Sequence, residues 1–143
     1  LNIPQRGSGL ADVGIGSTIF AVKPGDGSAR EQAASCQKVL GGWANLAVEY
    51  ATKRYRSNLI NWGMLPFIVD ADLANVLQVG DWLAVPHVRK AVQNAEPTLL
   101  AHIVRENGTS EQIALTLKDL TDDERQIILD GCLINFYNAT RKK

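Results

Sequence analysis

Apolar positions change their spacing several times along this chain, and each change marks an element. Ser17 to Lys23 (STIFAVK) is a short apolar run rich in β-branched side chains, bounded by Gly16 and Pro24, and it predicts a buried strand. After Pro24-Gly25-Asp26-Gly27 the apolar residues fall at Ala29, Ala33, Cys36 and Leu40. Those spacings of three or four predict a helix with that face turned inward and Gly41-Gly42 as its stop. Trp43 to Ala51 predicts a second strand, and Lys53 to Trp62 a second helix with Tyr55, Leu59 and Trp62 inward and Gly63 beyond it. Met64 to Val69 (MLPFIV) predicts a third strand, restricted by Pro66 to a sheet edge or a strand start.

The last third has a different pattern. Thr98 to Arg105 and Glu111 to Lys118 are β-type runs joined through Asn107-Gly108, which tolerates the positive φ of a tight hairpin. Thr121-Asp122-Asp123-Glu124 has the spacing of a capping box and predicts a terminal helix to about Tyr137, followed by the basic tail Arg141-Lys142-Lys143. Residues 1–16, with glycines at 7, 9, 14 and 16, have no sustained period and read as a loop-like lead-in. Strand–helix units followed by a hairpin predict one mixed α/β domain over residues 17–143.

Composition narrows the function classes. Among 143 residues, fifteen basic side chains balance fifteen acidic ones, which argues against a protein built mainly to hold a nucleic-acid backbone. The chain has neither a long apolar run nor a signal-peptide pattern, so no membrane segment and a cytoplasmic setting are expected. Cys36 and Cys132 are too few for a disulfide framework or a metal cluster of the chain's own. They are expected to act as small buried hydrophobes. His87 and His102 stand apart from each other and from carboxylates at ligand spacing, and read as packed or edge residues. Lys53, Arg54 and Arg56 form a basic cluster opposite the apolar side of their helix, which reads as a solvated face.

The stretch that can carry chemistry is Gly25-Asp26-Gly27-Ser28-Ala29-Arg30-Glu31, between a predicted strand and a predicted helix. Glycines there let a ligand approach the backbone, and the helix start offers unpaired amides and the positive end of its dipole to an anion. Arg30 adds a planar fork suited to a carboxylate, and Ser28 a hydroxyl whose alkoxide such neighbours would stabilise as a base. The same residues allow a plainer reading. Ser28 and Glu31 have S-x-x-E spacing, so Ser28 could serve only as a helix cap and Arg30 only as a surface residue.

Three ordered motifs add a resemblance. Gly25 to Ala34 (GDGSAREQAA), Leu40-Gly41-Gly42, and Asn58-Leu59 with Gly63, Leu65 and Pro66 resemble the C-terminal swivel domain of the aconitase superfamily, which includes the small subunit of isopropylmalate isomerase. The resemblance runs from about Thr18 through Asn107-Gly108-Thr109 to the closing helix. It implies a three-layer β/β/α swivelling fold that closes over a [4Fe-4S] cluster held by other domains, none of it bound by this chain. It also implies that Ser28 is the base, that Arg30 binds a substrate carboxylate, and that Gly27 and Ala29 line the substrate side of the turn.

The sequence departs from the family pattern at three places. Ala29 stands where the family has a second serine, Gln32 where it has a histidine, and Lys53-Arg54-Tyr55 where it has Arg-Ile-His. The base and the carboxylate clamp remain, which implies a divergent hydratase acting on a hydroxy di- or tricarboxylic acid. Because the chain begins at Leu1 rather than Met, it is expected to be part of a longer enzyme with cluster-bearing domains in cis. The alternatives are a separate small subunit docking on a large partner, or a non-catalytic module of the same fold binding carboxylates or RNA. Arg6 lies in the direction of a second family arginine, with no motif around it to justify the transfer.

Overall fold

The computed structural model describes residues 13–141. Arg6 and most of the expected lead-in lie outside the described residues. The element order is β1 (Ser17–Ala21), α1 (Arg30–Val39), β2 (Gly42–Ala47), α2 (Lys53–Asn61), β3 (Leu65–Ile68), a 3-10 turn (Ala71–Asn75), β4 (Trp82–Ala84), α3 (Val88–Gln93), β5 (Thr98–Val104), β6 (Ser110–Thr116), α4 (Asp122–Asp130) and α5 (Leu133–Arg141). The strands form one six-stranded sheet in the order β1-β2-β3-β6-β5-β4.

That sheet has two halves. β1, β2 and β3 are parallel neighbours joined by α1 and α2, giving two consecutive βαβ units. β4, β5 and β6 are antiparallel, with the Asn107-Gly108 hairpin as expected: Gly108 has φ 83°, and the Asn107 side chain accepts from the Thr109 amide at 3.0 Å. Among the described residues the two halves pair only through Ile68 opposite Thr116. So weak a seam lets the sheet curl, and inward residues of both halves share one core: Ala44, Leu46, Phe67 and Val69 cluster with Leu99, Ala101, Ile103, Ile113 and Leu115. The opposite side of β2 faces α1 and α2, since successive strand residues alternate faces. A smaller cluster of Ala34, Tyr55, Leu59 and Met64 fills that layer. The mixed α/β fold with sheet, sheet and helix layers is the one expected.

Pro66 is accommodated as a strand start. It pairs opposite Asn45 of β2, two residues before the single point at which β3 meets β6, so its missing N–H removes nothing from that seam.

Several boundaries differ from expectation. β2 stops at Ala47, because the chain beyond it leaves the sheet to run beside the loop after β1: Glu49 N donates to Val22 O and Ala51 N to Pro24 O. The terminal helix is broken in two by Gly131, whose φ of 90° ends α4 in a left-handed cap. The face of α1 is also corrected. Ala33, Cys36 and Leu40 are exposed, and Ala34 is the buried residue, flanked by half-buried Arg30 and Gln37. The apolar spacing misled because this helix covers the sheet with small and polar side chains. Cys36 is therefore no buried hydrophobe, and Cys132 is half-buried. β4, α3 and the 3-10 turn had no sequence expectation, being too short to show a period.

One contact fixes where α4 sits. Gly63 follows α2 with φ 74° and lies so close to the Gly131 backbone that a Cβ would overlap the Gly131 carbonyl. Gly63→Ala should lower unfolding free energy by at least about 2 kcal/mol, through positive φ and backbone overlap together. Urea titration measures this, and a change below about 0.5 kcal/mol would contradict the packing.

Candidate functional site

The expected site residues, consecutive in sequence, lie beyond the C-terminal end of β1, in the turn that leads into α1. The chain leaves β1 at Ala21, turns through Pro24–Ala29 and enters α1 at Arg30. Two glycines in this turn have different reasons. Gly25 has φ 96°, and a Cβ on it would overlap the Cβ and ring of Tyr55, so the fold itself demands glycine. Gly27 has ordinary φ, and a Cβ there would meet nothing within 4 Å. Among the described residues no packing requires a glycine at 27.

Ser28 is exposed and does not cap the helix. The N-cap of α1 is Ala29, and no side chain bonds to the first amides. Two other helices differ from it: Thr52 caps α2 by accepting from Tyr55 N at 3.2 Å, and Thr121 forms a complete capping box with Glu124 on α4, whereas the short α3 also starts without a side-chain cap. The plainer reading of Ser28 is thereby removed. Among the described residues its hydroxyl has no hydrogen-bond partner, and the start of α1 keeps its donors and its positive dipole end open.

Arg30 is half-buried on the first turn of α1. No carboxylate of the described residues pairs with it, and its Nε is buried without an acceptor. A guanidinium that is partly desolvated and unpaired binds an incoming carboxylate more strongly than one in open water. Gly27, Ser28, Ala29 and Arg30 thus place exposed backbone, a hydroxyl and a half-buried guanidinium on consecutive residues.

The loop after β2 supports the turn from behind. Thr52 Oγ1 donates to Gly25 O at 3.2 Å, and Ala51 N to Pro24 O at 3.0 Å. Lys23 and Glu49 pair at 2.7 Å in solvent, and the Glu49 carboxylate raises the Lys23 pKa above its ordinary value. Tyr50 donates to Phe67 O at 3.1 Å, and its burial pushes the phenol well above the usual range. It stays a neutral donor.

Beneath the turn lies a polar cluster that the sequence did not disclose. The Tyr55 hydroxyl accepts from Gln37 Nε2 at 2.8 Å and Asn45 Nδ2 at 3.0 Å, joining α2, α1 and β2. Asn45 is 1% exposed. The available signal was an asparagine in the apolar run Trp43-Ala44-Asn45-Leu46-Ala47, since a buried amide needs a partner.

The other candidates stay apart. Lys53 and Arg54 are exposed as a solvated face, while Arg56 reaches across to donate to Lys118 O at 2.7 Å. His87 is exposed before α3, and His102 is half-buried in β5 opposite Gln112. Among the described residues no three His, Cys, Asp or Glu side chains gather as a metal site, and no helix is long and apolar enough to cross a membrane.

The capping contrast gives a stability test. Ser28→Ala should change unfolding free energy by less than about 0.5 kcal/mol, whereas Thr121→Ala should cost about 1 kcal/mol. Equal losses in urea titrations would restore Ser28 as a cap.

Two comparisons with known proteins bear on the family of the chain. A family model described as the aconitase C-terminal domain matches residues 16–72, the segment that contains β1 to β3 and the whole turn. Aconitate hydratase A of Rickettsia bellii (strain RML369-C) is 29% identical over 126 residues, which cover 86% of this chain. The chain spans 14% of that relative's length. Over these stretches the chain is similar to the C-terminal domain of aconitases.

Proposed function

We propose that this chain is the swivel domain of an aconitase-like hydro-lyase acting on a hydroxy di- or tricarboxylic acid, with Ser28 as its base and Arg30 as a carboxylate clamp. The observation that carries the reading is the open start of α1: an uncapped helix terminus, a serine hydroxyl without a partner and an unpaired arginine on one turn. The match to a small part of one long hydratase chain supports cluster-bearing domains in cis over a separate large subunit. A [4Fe-4S] cluster would take its ligands outside this chain. Cys36 is exposed on α1, Cys132 follows α4, and the described residues gather no ligand set around either.

The chain's own part follows if Gly27 to Arg30 act as one donor surface. Arg30 takes a substrate carboxylate through two parallel hydrogen bonds and fixes the adjacent carbon over the turn. Ser28 Oγ, as an alkoxide held by the α1 amides and the guanidinium, accepts the proton from that carbon. The electron pair left behind forms the double bond as hydroxide leaves the neighbouring carbon. Hydration runs the same step in reverse. The open backbone of Gly27 leaves room for the substrate at the mouth of the turn.

In the complete enzyme, Ser28→Ala should lower kcat by about 10²–10⁴-fold, the usual contribution of a positioned base, with KM little changed. Arg30→Lys should instead raise KM, because lysine cannot reproduce the planar fork. Steady-state assays across a panel of hydroxy di- and tricarboxylic acids make the measurement. Unchanged turnover in Ser28→Ala would remove the base assignment. The 143-residue chain alone should turn over none of these acids, and turnover by it would contradict the need for further domains.

A further inference from the structure

We infer that Tyr55 is a positioning residue for the Gly25–Arg30 turn, acting through its hydroxyl on α1 and through its ring on Gly25. The inference rests on the reading of that turn as the reactive one. Tyr55 is 2% exposed, lies against Gly25 at the start of the segment and bonds to α1 beyond its end. Its Cβ and ring occupy the space a side chain at Gly25 would need, which sets how deep the turn lies. Its hydroxyl meets Gln37, seven residues along α1 from Arg30, and so sets how that helix sits on the sheet. Asn45 ties the same hydroxyl to β2, the central strand of the parallel half.

Residues 26–29, between those two anchors, are exposed, and no side chain among the described residues holds them by a hydrogen bond. Their position depends on what grips the flanks. The cluster is also chemically specific. Two amide donors point at one phenol oxygen, leaving Gln37 Oε1 and Asn45 Oδ1 buried without partners. Turning one amide about its last torsion lets the phenol donate to that oxygen while accepting from the other amide. Phenylalanine can do neither. Tyr55→Phe keeps the ring against Gly25 while removing the link to α1 and β2, so it separates packing from positioning.

The test uses amide exchange by NMR on the 143-residue chain, with steady-state kinetics on the complete enzyme. Ala33 N, bonded to Ala29 O at 3.0 Å, reports the start of α1, and Arg105 N, bonded to Thr109 O at 3.0 Å, reports the distant hairpin. Tyr55→Phe should speed exchange at Ala33 about tenfold, the size expected for one lost buried hydrogen bond, with Arg105 unchanged. Gln37→Met, at a half-buried position, should do the same. In the complete enzyme Tyr55→Phe should lower kcat about tenfold with KM within twofold, on the acid that the wild type turns over fastest. Unchanged exchange at Ala33 in both variants, or equal acceleration at Ala33 and Arg105, would overturn the inference. So would an unchanged kcat in an enzyme whose Ser28→Ala variant is impaired. If Ser28→Ala retains full turnover, the base assignment fails separately, and the exchange data still decide the role of Tyr55.

Discussion

Gly25 lies against Tyr55 so closely that a side chain there would overlap the Tyr55 Cβ and ring, and this contact ties the turn before α1 to α2. The contact joins two consecutive βαβ units. Thr52 adds a hydrogen bond from the start of α2 to the Gly25 carbonyl, and Ala51 adds one to Pro24, so the turn after β1 rests on the loop after β2. The parallel half of the sheet is in this sense a platform for one turn. The antiparallel half covers the other face of the platform and contributes most of the shared core. Because the two halves meet at a single residue pair, the sheet can curl without disturbing the strands that carry the site.

The start of α1 differs from those of α2 and α4, and the short α3 also starts without a side-chain cap. α2 and α4 satisfy their first amides with threonine side chains, as a helix that only packs is expected to do. α1 does not, although a serine stands one residue before its N-cap. An uncapped start beside an arginine with a buried, unpaired Nε gives up some stability of the free chain, and an anionic ligand would restore it. Such local sacrifice of stability is common at functional sites.

Much of this was legible in the sequence, and the failures have physical causes. Strong local signals survived: the β-branched run of β1, the Thr121 capping box, the Asn107-Gly108 turn, and the glycine-rich loop between strand and helix. The inner face of α1 was misread because Ala33, Cys36 and Leu40 have helical spacing while the buried side is Ala34 with Gln37 bonded to a tyrosine. Periodicity records hydrophobicity and cannot show a polar side chain buried by a hydrogen bond. The break at Gly131 was missed because a single glycine in an otherwise helical pattern does not declare its φ. At the site, residue types indicated the chemistry but left Ser28 between cap and base. Backbone geometry decided only that it is no cap.

The most direct test of the account is whether the open start of α1 takes up a carboxylate. Titrating the ¹⁵N-labelled chain with tricarballylate, a tricarboxylate that cannot be dehydrated, should shift the amides of Gly27 to Glu31 and the Arg30 Nε resonance, with saturation. Shifts confined to Lys53 and Arg54, or none at the turn up to about 10 mM, weaker than an ordinary millimolar site, would contradict it.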